Sequence, residues 1–329
     1  MIANKLEWEK ATQAIREAQS VLIVTHLDPD GDAIGSLLGL GIALQARGKT
    51  VTMAVDGGVP GYLKFLPGSD EIYAKLTTRK FDLMISVDAS DEERTGKVGA
   101  YGRNNSQTII NLDHHATNTA FGDIYLVMVD AVSATEVITR WLSYMNQPLT
   151  REVALSLLTG LVTDTLGFRT SNVNASTLGI AQQLTEAGVS LTEIMPRTLE
   201  SKSFKSIQLW GQVLRSIELE GGVVSVDITE EDLAAVGMKD NSDAGLVSLL
   251  NQINEAMVAV IFNEMPNEQV KLSLRSKRGY DVGSVALALG GGGHEQAAGA
   301  TINGPLPQAH ERVLPLLKQA VEEGELIIA

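Results

Sequence analysis

The chain has 329 residues, 44% hydrophobic and 20% charged, which excludes a disordered or low-complexity protein and is long enough for two cores of ordinary size. Its 40 acidic and 26 basic residues leave a formal charge of −14, so affinity built by neutralising phosphates along a duplex is disfavoured and long nucleic acid is not an expected partner. Cysteine is absent, which excludes disulfides, thiolate metal sites and cysteine nucleophiles.

Residues 1–20 mix Lys5, Glu7, Glu9, Lys10, Arg16 and Glu17 with apolar positions at helical spacing, unlike the unbroken apolar stretch of a signal peptide. No run approaches the roughly 18 apolar residues of a membrane span, so no membrane association is expected and the cytoplasm is the default location. Short β-branched runs follow at 21–25, 50–55, 82–88 and 108–113, separated by longer helical patterns. Helices are expected over 33–48, ended by Gly48, and over 133–145 and 150–165. That rhythm predicts an α/β fold, a mostly parallel sheet covered by helices, over residues 1–188. A linker is expected at 189–203, around Pro196 and the polar stretch from Glu200 to Ser203. Strands at 221–228, 258–265 and 270–276, helices at 243–256 and 306–323, and a glycine cluster predict a smaller α/β domain over 204–329.

The strongest chemical signal is VTHLDPDGDAIGS (24–36), where a strand runs into His26, Asp28, Asp30 and Asp32 before the next helix. Taken alone, this could be an acidic turn with Asp32 as helix N-cap. Asp88, however, directly follows LMISV, and Asp113, His114 and His115 directly follow TIINL. Three strands thus deliver acidic or imidazole groups at their C-terminal ends, the crevice where open α/β sheets bind ligands. Asp164, at the end of TGLVTDT, adds a fourth contribution. Carboxylates converging in one cleft repel unless cations neutralise them, so metal binding is expected. Carboxylates with a minority of imidazoles fit two Mn²⁺ ions, tolerate Mg²⁺ and do not exclude Fe²⁺, Co²⁺ or Zn²⁺. Two such ions can grip one phosphate, lower the pKa of water and stabilise charge on the leaving oxygen.

In the second half, LGGGGHEQAAGA (289–300) sets four glycines before His294 and a stretch expected to be helical. The bare N–H groups of Gly291, Gly292 and Gly293 at a helix N-terminus would cradle an anion. No Lys-Ser or Lys-Thr follows, which excludes a P-loop. Arg275 and Ser276, ending VKLSLRS, are candidates for holding a phosphate.

These motifs resemble the DHH phosphoesterases, named for a triplet matching Asp113-His114-His115. HLDPDGDAIGS, SVDASD, NLDHH and TGLVTDT are similar to the family's four motifs in order, and GGGGHEQAAG resembles the signature of its associated C-terminal domain. The resemblance implies metal ligands at His26, Asp30, Asp32, Asp88, His114 and Asp164, with Asp88 bridging two ions and Asp28 accessory. It implies catalytic roles for Asp88, His114 and His115, the last either behind the metal ligands or facing substrate; His115 or a metal-bound water would protonate the leaving oxygen. Leu166 stands where the family commonly has glycine, which puts the local loop shape in doubt. The compact two-domain form is similar to the bifunctional oligoribonuclease and 3′-phosphoadenosine 5′-phosphate phosphatase group. The implied partners are therefore short oligoribonucleotides and adenosine phosphates, and a homodimer is suggested by that likeness alone. Alternatives are a phosphodiesterase of cyclic or linear dinucleotides and a non-catalytic nucleotide-binding protein.

Overall fold

A computed structural model describes residues 5–77, 79–238 and 243–327, and the chain divides into two compact units, Met1–Ser201 and Lys202–Ala329. The first runs α1 (Lys5–Glu17), β1 (Ser20–Val24), α2 (Gly31–Gln45), β2 (Thr50–Ala54), β3 (Phe81–Val87), α3 (Gly96–Asn105), β4 (Ser106–Asp113), β5 (Ile124–Val127), α4 (Ala134–Tyr144), α5 (Arg151–Asp164), α6 (Ala175–Glu186) and α7 (Leu191–Thr198). Its five strands are all parallel in the order β2-β1-β3-β4-β5. The order reverses between β1 and β3, the topological switch point at whose C-terminal edge a crevice opens. The β-branched runs are buried because helices cover the sheet: Val21, Ile23, Leu83 and Ile85 share one core with Leu37, Leu44, Trp141 and Leu158.

Two helices that shape the crevice are pressed together. Gly31, Gly35 and Gly39 recur every four residues along α2, and a Cβ on any of them would collide with α5. At Gly35 the obstacle is backbone, with Ser156 O 2.5 Å from the added carbon. Gly35→Ala is therefore expected to cost about 1–3 kcal/mol of stability as overpacking. The measurement is urea unfolding, where the midpoint should fall at constant m-value; an unmoved midpoint would show that α2 and α5 do not need this approach.

Helix α2 begins at Gly31, two residues before the expected 33, because Asp30 caps it: Asp30 Oδ1 accepts from the N–H groups of Asp32 and Ala33, both at 3.0 Å. Asp32 thus lies inside the first turn rather than at the cap. Within the stretch expected to link the halves, Leu191–Thr198 forms α7, and Ile194 is fully buried in the first unit's core.

The second unit runs α8 (Phe204–Val213), β6 (Glu218–Glu220), β7 (Val223–Ile228), α9 (Glu230–Ala235), α10 (Leu246–Leu250), β8 (Val258–Met265), β9 (Gln269–Ser276), α11 (Val282–Ala288), β10 (Gly292–His294), β11 (Ala297–Asn303) and α12 (Leu306–Glu323). Its six-stranded sheet has the order β10-β11-β9-β8-β7-β6, antiparallel except for β7 beside β8. Strand alternation builds a core on each face. Val258, Val260, Phe262, Leu272 and Leu274 pack with α11 and α12, while Val224, Val226, Ala259 and Ile261 pack with α8, α9 and α10.

Two expectations are corrected here. The helix expected over 243–256 is confined to Leu246–Leu250, and beyond it the carbonyls of Ile253 and Asn254 accept from Lys277 Nζ instead. The small-residue stretch after His294 is strand β11, not helix: Ala298, Ala300 and Ile302 alternate inward and pair along β9.

Candidate metal centre

The loop after β1 carries His26. Its Nδ1 lies 2.7 Å from Leu27 O, and because a carbonyl only accepts, Nδ1 holds the hydrogen and Nε2 is the nitrogen turned to the crevice. Nε2 stands 3.5 Å from Asp88 Oδ2 and 4.0 Å from Asp30 Oδ1. Asp88, one residue beyond β3, has a left-handed backbone (φ 55°), a conformation that Asp tolerates and most residues resist. From β4, His114 Nε2 lies 3.6 Å from Asp88 Oδ1, 3.6 Å from Asp164 Oδ2 and 3.9 Å from Asp32 Oδ2.

Asp32 is buried and gripped by the N-terminus of α4. Its Oδ2 accepts from Ala134 N at 2.6 Å, and its Oδ1 from Thr135 N at 3.0 Å and Thr135 Oγ1 at 2.7 Å. Unsatisfied amides at a helix start favour an anion, so this carboxylate is aimed rather than mobile. Sequence reasoning left Thr135 out: Ser133 followed three residues later by Glu136 marks a helix start, but not the carboxylate that start would hold. Asp164 is the last residue of α5, and the turn beyond it holds Leu166, Gly167 and Phe168 all at positive φ. Leu166 thus carries the left-handed strain that the family's commoner glycine would not.

All six carboxylate and imidazole groups therefore meet at the switch-point edge of the first sheet. They form two neighbouring donor sets, His26 with Asp30 and Asp88, and Asp32 with His114 and Asp164, with Asp88 facing both imidazoles. Separations of 3.5 to 4.0 Å are too long for hydrogen bonds. They approach the roughly 3.0–3.7 Å between two donors that each sit about 2.1 Å from one ion. Asp88 Oδ1 is buried with no hydrogen-bond partner among the described residues, an arrangement a cation would satisfy. The residues present fit a pair of divalent ions.

The electrostatics agree. Burial pushes the Asp88 pKa up, but His114 and His26 outweigh it and hold the carboxyl well below its usual range. Burial and the Asp88 charge raise Asp32 to about 7. His26 and His114 rise to about 9 and about 10, because the surrounding carboxylates outweigh the burial that would lower them. Without a cation, the cluster takes up protons in its place.

The remaining predicted residues sit as follows. Asp28 is exposed at φ 53°. His115 Nδ1 is 2.8 Å from Asp113 Oδ1 and 3.7 Å from Asp88 Oδ1. In the second unit, His294 pairs with Ala297 and Ala297 with Arg275, which sets His294 and Arg275 in one cross-strand row on the same face, with a small residue between them. Ser276 is not with them. It is buried on the opposite face, and its Oγ donates to Tyr280 O at 2.5 Å, because neighbours in a strand point to opposite sides. The cradle expected of Gly291, Gly292 and Gly293 is also altered. Gly290 and Gly291 donate their N–H groups to Leu287 O and Ala286 O, closing α11. A Cβ at Gly291 would lie 2.1 Å from Gly299 O, so close backbone packing accounts for that glycine.

Comparison with known proteins agrees with this geometry. Residues 20–161 match the model of the DHH family, N-terminal domain, and residues 233–323 match that of the DHHA1 domain. The chain is 35% identical over 321 residues to the bifunctional oligoribonuclease and PAP phosphatase NrnA of Thermus thermophilus, covering 95% of this chain and 94% of that one. It is 28% identical over 287 residues to the protein of the same name from Bacillus subtilis, covering 86% and 89%. The crystal structure of an exopolyphosphatase-related protein from Bacteroides fragilis superposes with a TM-score of 0.88 at 25% identity, over 97% of this chain and 96% of that one. With a relative this similar along nearly its whole length and a match to each domain, the chain belongs to the DHH family of phosphoesterases.

Proposed function

We propose that this chain hydrolyses very short RNA oligonucleotides to mononucleotides and 3′-phosphoadenosine 5′-phosphate to AMP, the two activities in the names of its Thermus and Bacillus relatives. The observation that carries the reading is the convergence of six donors into two adjacent sets that share Asp88. His26, Asp30 and Asp88 would hold one ion and Asp32, His114 and Asp164 the other, with Asp88 between them; Mn²⁺ is the first choice and Mg²⁺ the second. Bound divalent ions supply Lewis acidity, lowering the pKa of water and neutralising charge on the phosphate.

The side chains do the rest. Asp88 and His114 keep the donor sets adjacent, so that one phosphorus can be served from both. As water oxygen bonds to phosphorus it releases a proton to solvent, the ester P–O bond breaks, and His115 Nε2 hands a proton taken from solvent to the departing oxygen. On the second unit, Arg275 and His294 offer donors for a terminal phosphate, and Gly292, where an added Cβ would meet nothing within 4 Å, leaves room beside them, whereas Gly293 is accounted for by close packing, with Ala297 O 2.5 Å from such a carbon. No helix among the described residues is long and apolar enough to cross a membrane. A cytoplasmic homodimer is part of the same proposal, on family likeness.

The test compares initial rates on a diribonucleotide, a 24-mer RNA, a cyclic dinucleotide and 3′-phosphoadenosine 5′-phosphate, each with Mn²⁺ and after chelation. The dinucleotide and the adenosine bisphosphate should be cleaved fastest, at least about tenfold above the 24-mer, and only with metal. A cyclic dinucleotide cleaved fastest would move the function to signal degradation. Binding without cleavage of any of the four would make the protein a sensor.

A further inference from the structure

Asp113 heads the triplet that names the family, and its carboxylate stands beside Asp88, His114 and His115. It is fully buried, and both oxygens are engaged: Oδ1 is 2.8 Å from His115 Nδ1, and Oδ2 accepts from Asn118 Nδ2 at 2.6 Å. Asp113 lies within reach of Asp88, His114 and His115, and its hydrogen bond is to the last of these. What it can do is fix an imidazole. A buried carboxylate only accepts, so His115 Nδ1 carries the hydrogen, and Nε2 is the nitrogen through which a proton is exchanged.

Asn118 in turn fixes Asp113. Its amide nitrogen also lies 3.2 Å from Ala89 O, one residue beyond Asp88. Its side-chain oxygen accepts from Ala120 N at 2.7 Å, and its backbone N–H donates to His115 O at 3.2 Å. One side chain thus ties the loop after β4, which carries His114 and His115, to the segment after β3, which carries Asp88. An asparagine used only to close its own turn would not reach across to both.

We propose that Asn118, acting through Asp113, is a positioning residue of the hydrolysis: it holds the His115 ring in one orientation with its hydrogen on Nδ1, so that Nε2 is the nitrogen that takes a proton from solvent and hands it to the leaving oxygen. This rests on the reading of His115 as proton donor given above. Carboxylates that orient a histidine in this way matter through the tautomer they select, and their amide analogues keep the shape while losing that selection.

The experiment uses the full chain and the variants Asn118→Ala, Asn118→Ser, Asp113→Asn and His115→Ala. With a diribonucleotide and Mn²⁺, kcat should fall about tenfold in Asn118→Ala and about a hundredfold in Asp113→Asn, with KM within about twofold. Asn118→Ser, which keeps a donor toward Asp113, should recover most of the loss. Two readouts separate this from simple damage. Calorimetric Mn²⁺ affinity should stay within about threefold of the parent. In chelator, the ring ¹⁵N shifts of His115 should report the Nδ1–H tautomer in the parent and a mixture in Asn118→Ala and Asp113→Asn. Unchanged kcat, a kcat loss matched by loss of Mn²⁺ affinity, or an unchanged His115 tautomer would each overturn the proposal. If His115→Ala keeps the parent kcat, the proton-donor reading itself fails. If His115→Ala is inactive while Asn118→Ala is fully active, only the positioning role fails.

Discussion

Asp88→Asn is expected to lower kcat on a diribonucleotide by about 10³-fold or more, some 4 kcal/mol of transition-state stabilisation, while the fold survives. Asp88 faces both His26 and His114, with His26 Nε2 at 3.5 Å and His114 Nε2 at 3.6 Å on its two oxygens. Its carboxyl is held well below its usual range even though burial opposes ionisation, so its charge belongs to the resting site. An amide of the same shape removes that charge from both donor sets at once. Asn suits the left-handed backbone at this position as well as Asp does, so little strain is added. Asp88→Ala removes the same charge and adds backbone strain, so it should be equally inactive and less stable. Mn²⁺-stimulated turnover above about a tenth of the parent in Asp88→Asn would contradict the shared role, since loss of a common metal ligand costs far more than tenfold.

Much of the centre was legible because its residues stand at the ends of apolar runs. His26, Asp88 and His114 follow strands whose burial pattern is plain in the sequence, and a parallel sheet sends those ends to one edge. What was missed depends on partners distant in sequence. Nothing local says that Asp32 will be seized by Ala134 and Thr135, about a hundred residues later, or that Asn118 will reach Ala89. The stretch AAGATIN reads as small residues fit for a helix, but pairing with β9 decides that it is a strand, and such pairing is invisible to propensity. Ser276 was avoidable. Val270, Leu272 and Leu274 already mark the even positions of that strand as core, so Arg275 and Ser276 could not face the same side.

Removing metal should stop turnover as completely as losing Asp88 does, by about 10³-fold with restoration on Mn²⁺ add-back, and it should also change stability in a way that depends on pH. Burial and Asp88 raise Asp32 from 3.8 to about 7, and burial and Asp32 push Asp164 well above its usual range. A group whose folded pKa is raised stabilises fully below its unfolded pKa and loses that contribution as pH climbs through the folded value. For Asp32 the loss runs from 3.8 to about 7; for His26 and His114 it runs from 6.5 to about 9 and about 10. Asp88, with a lowered pKa, has the opposite sign: its contribution is present above its unfolded 3.8 and is constant over this range. The metal-free protein therefore weakens between pH 6 and pH 9. Over the same interval the donors shed protons more readily, so metal affinity rises. Ion at a hundred times Kd stabilises by about 2.7 kcal/mol, roughly 5–10 °C in Tm for a unit of this size. The Tm gained on adding Mn²⁺ should thus grow from pH 6 to pH 9, and calorimetric heats at pH 7 should differ between buffers of unlike ionisation enthalpy, because binding expels protons. Equal heats in every buffer, or a Tm gain that shrinks as pH rises, would place the ions somewhere other than among these six side chains.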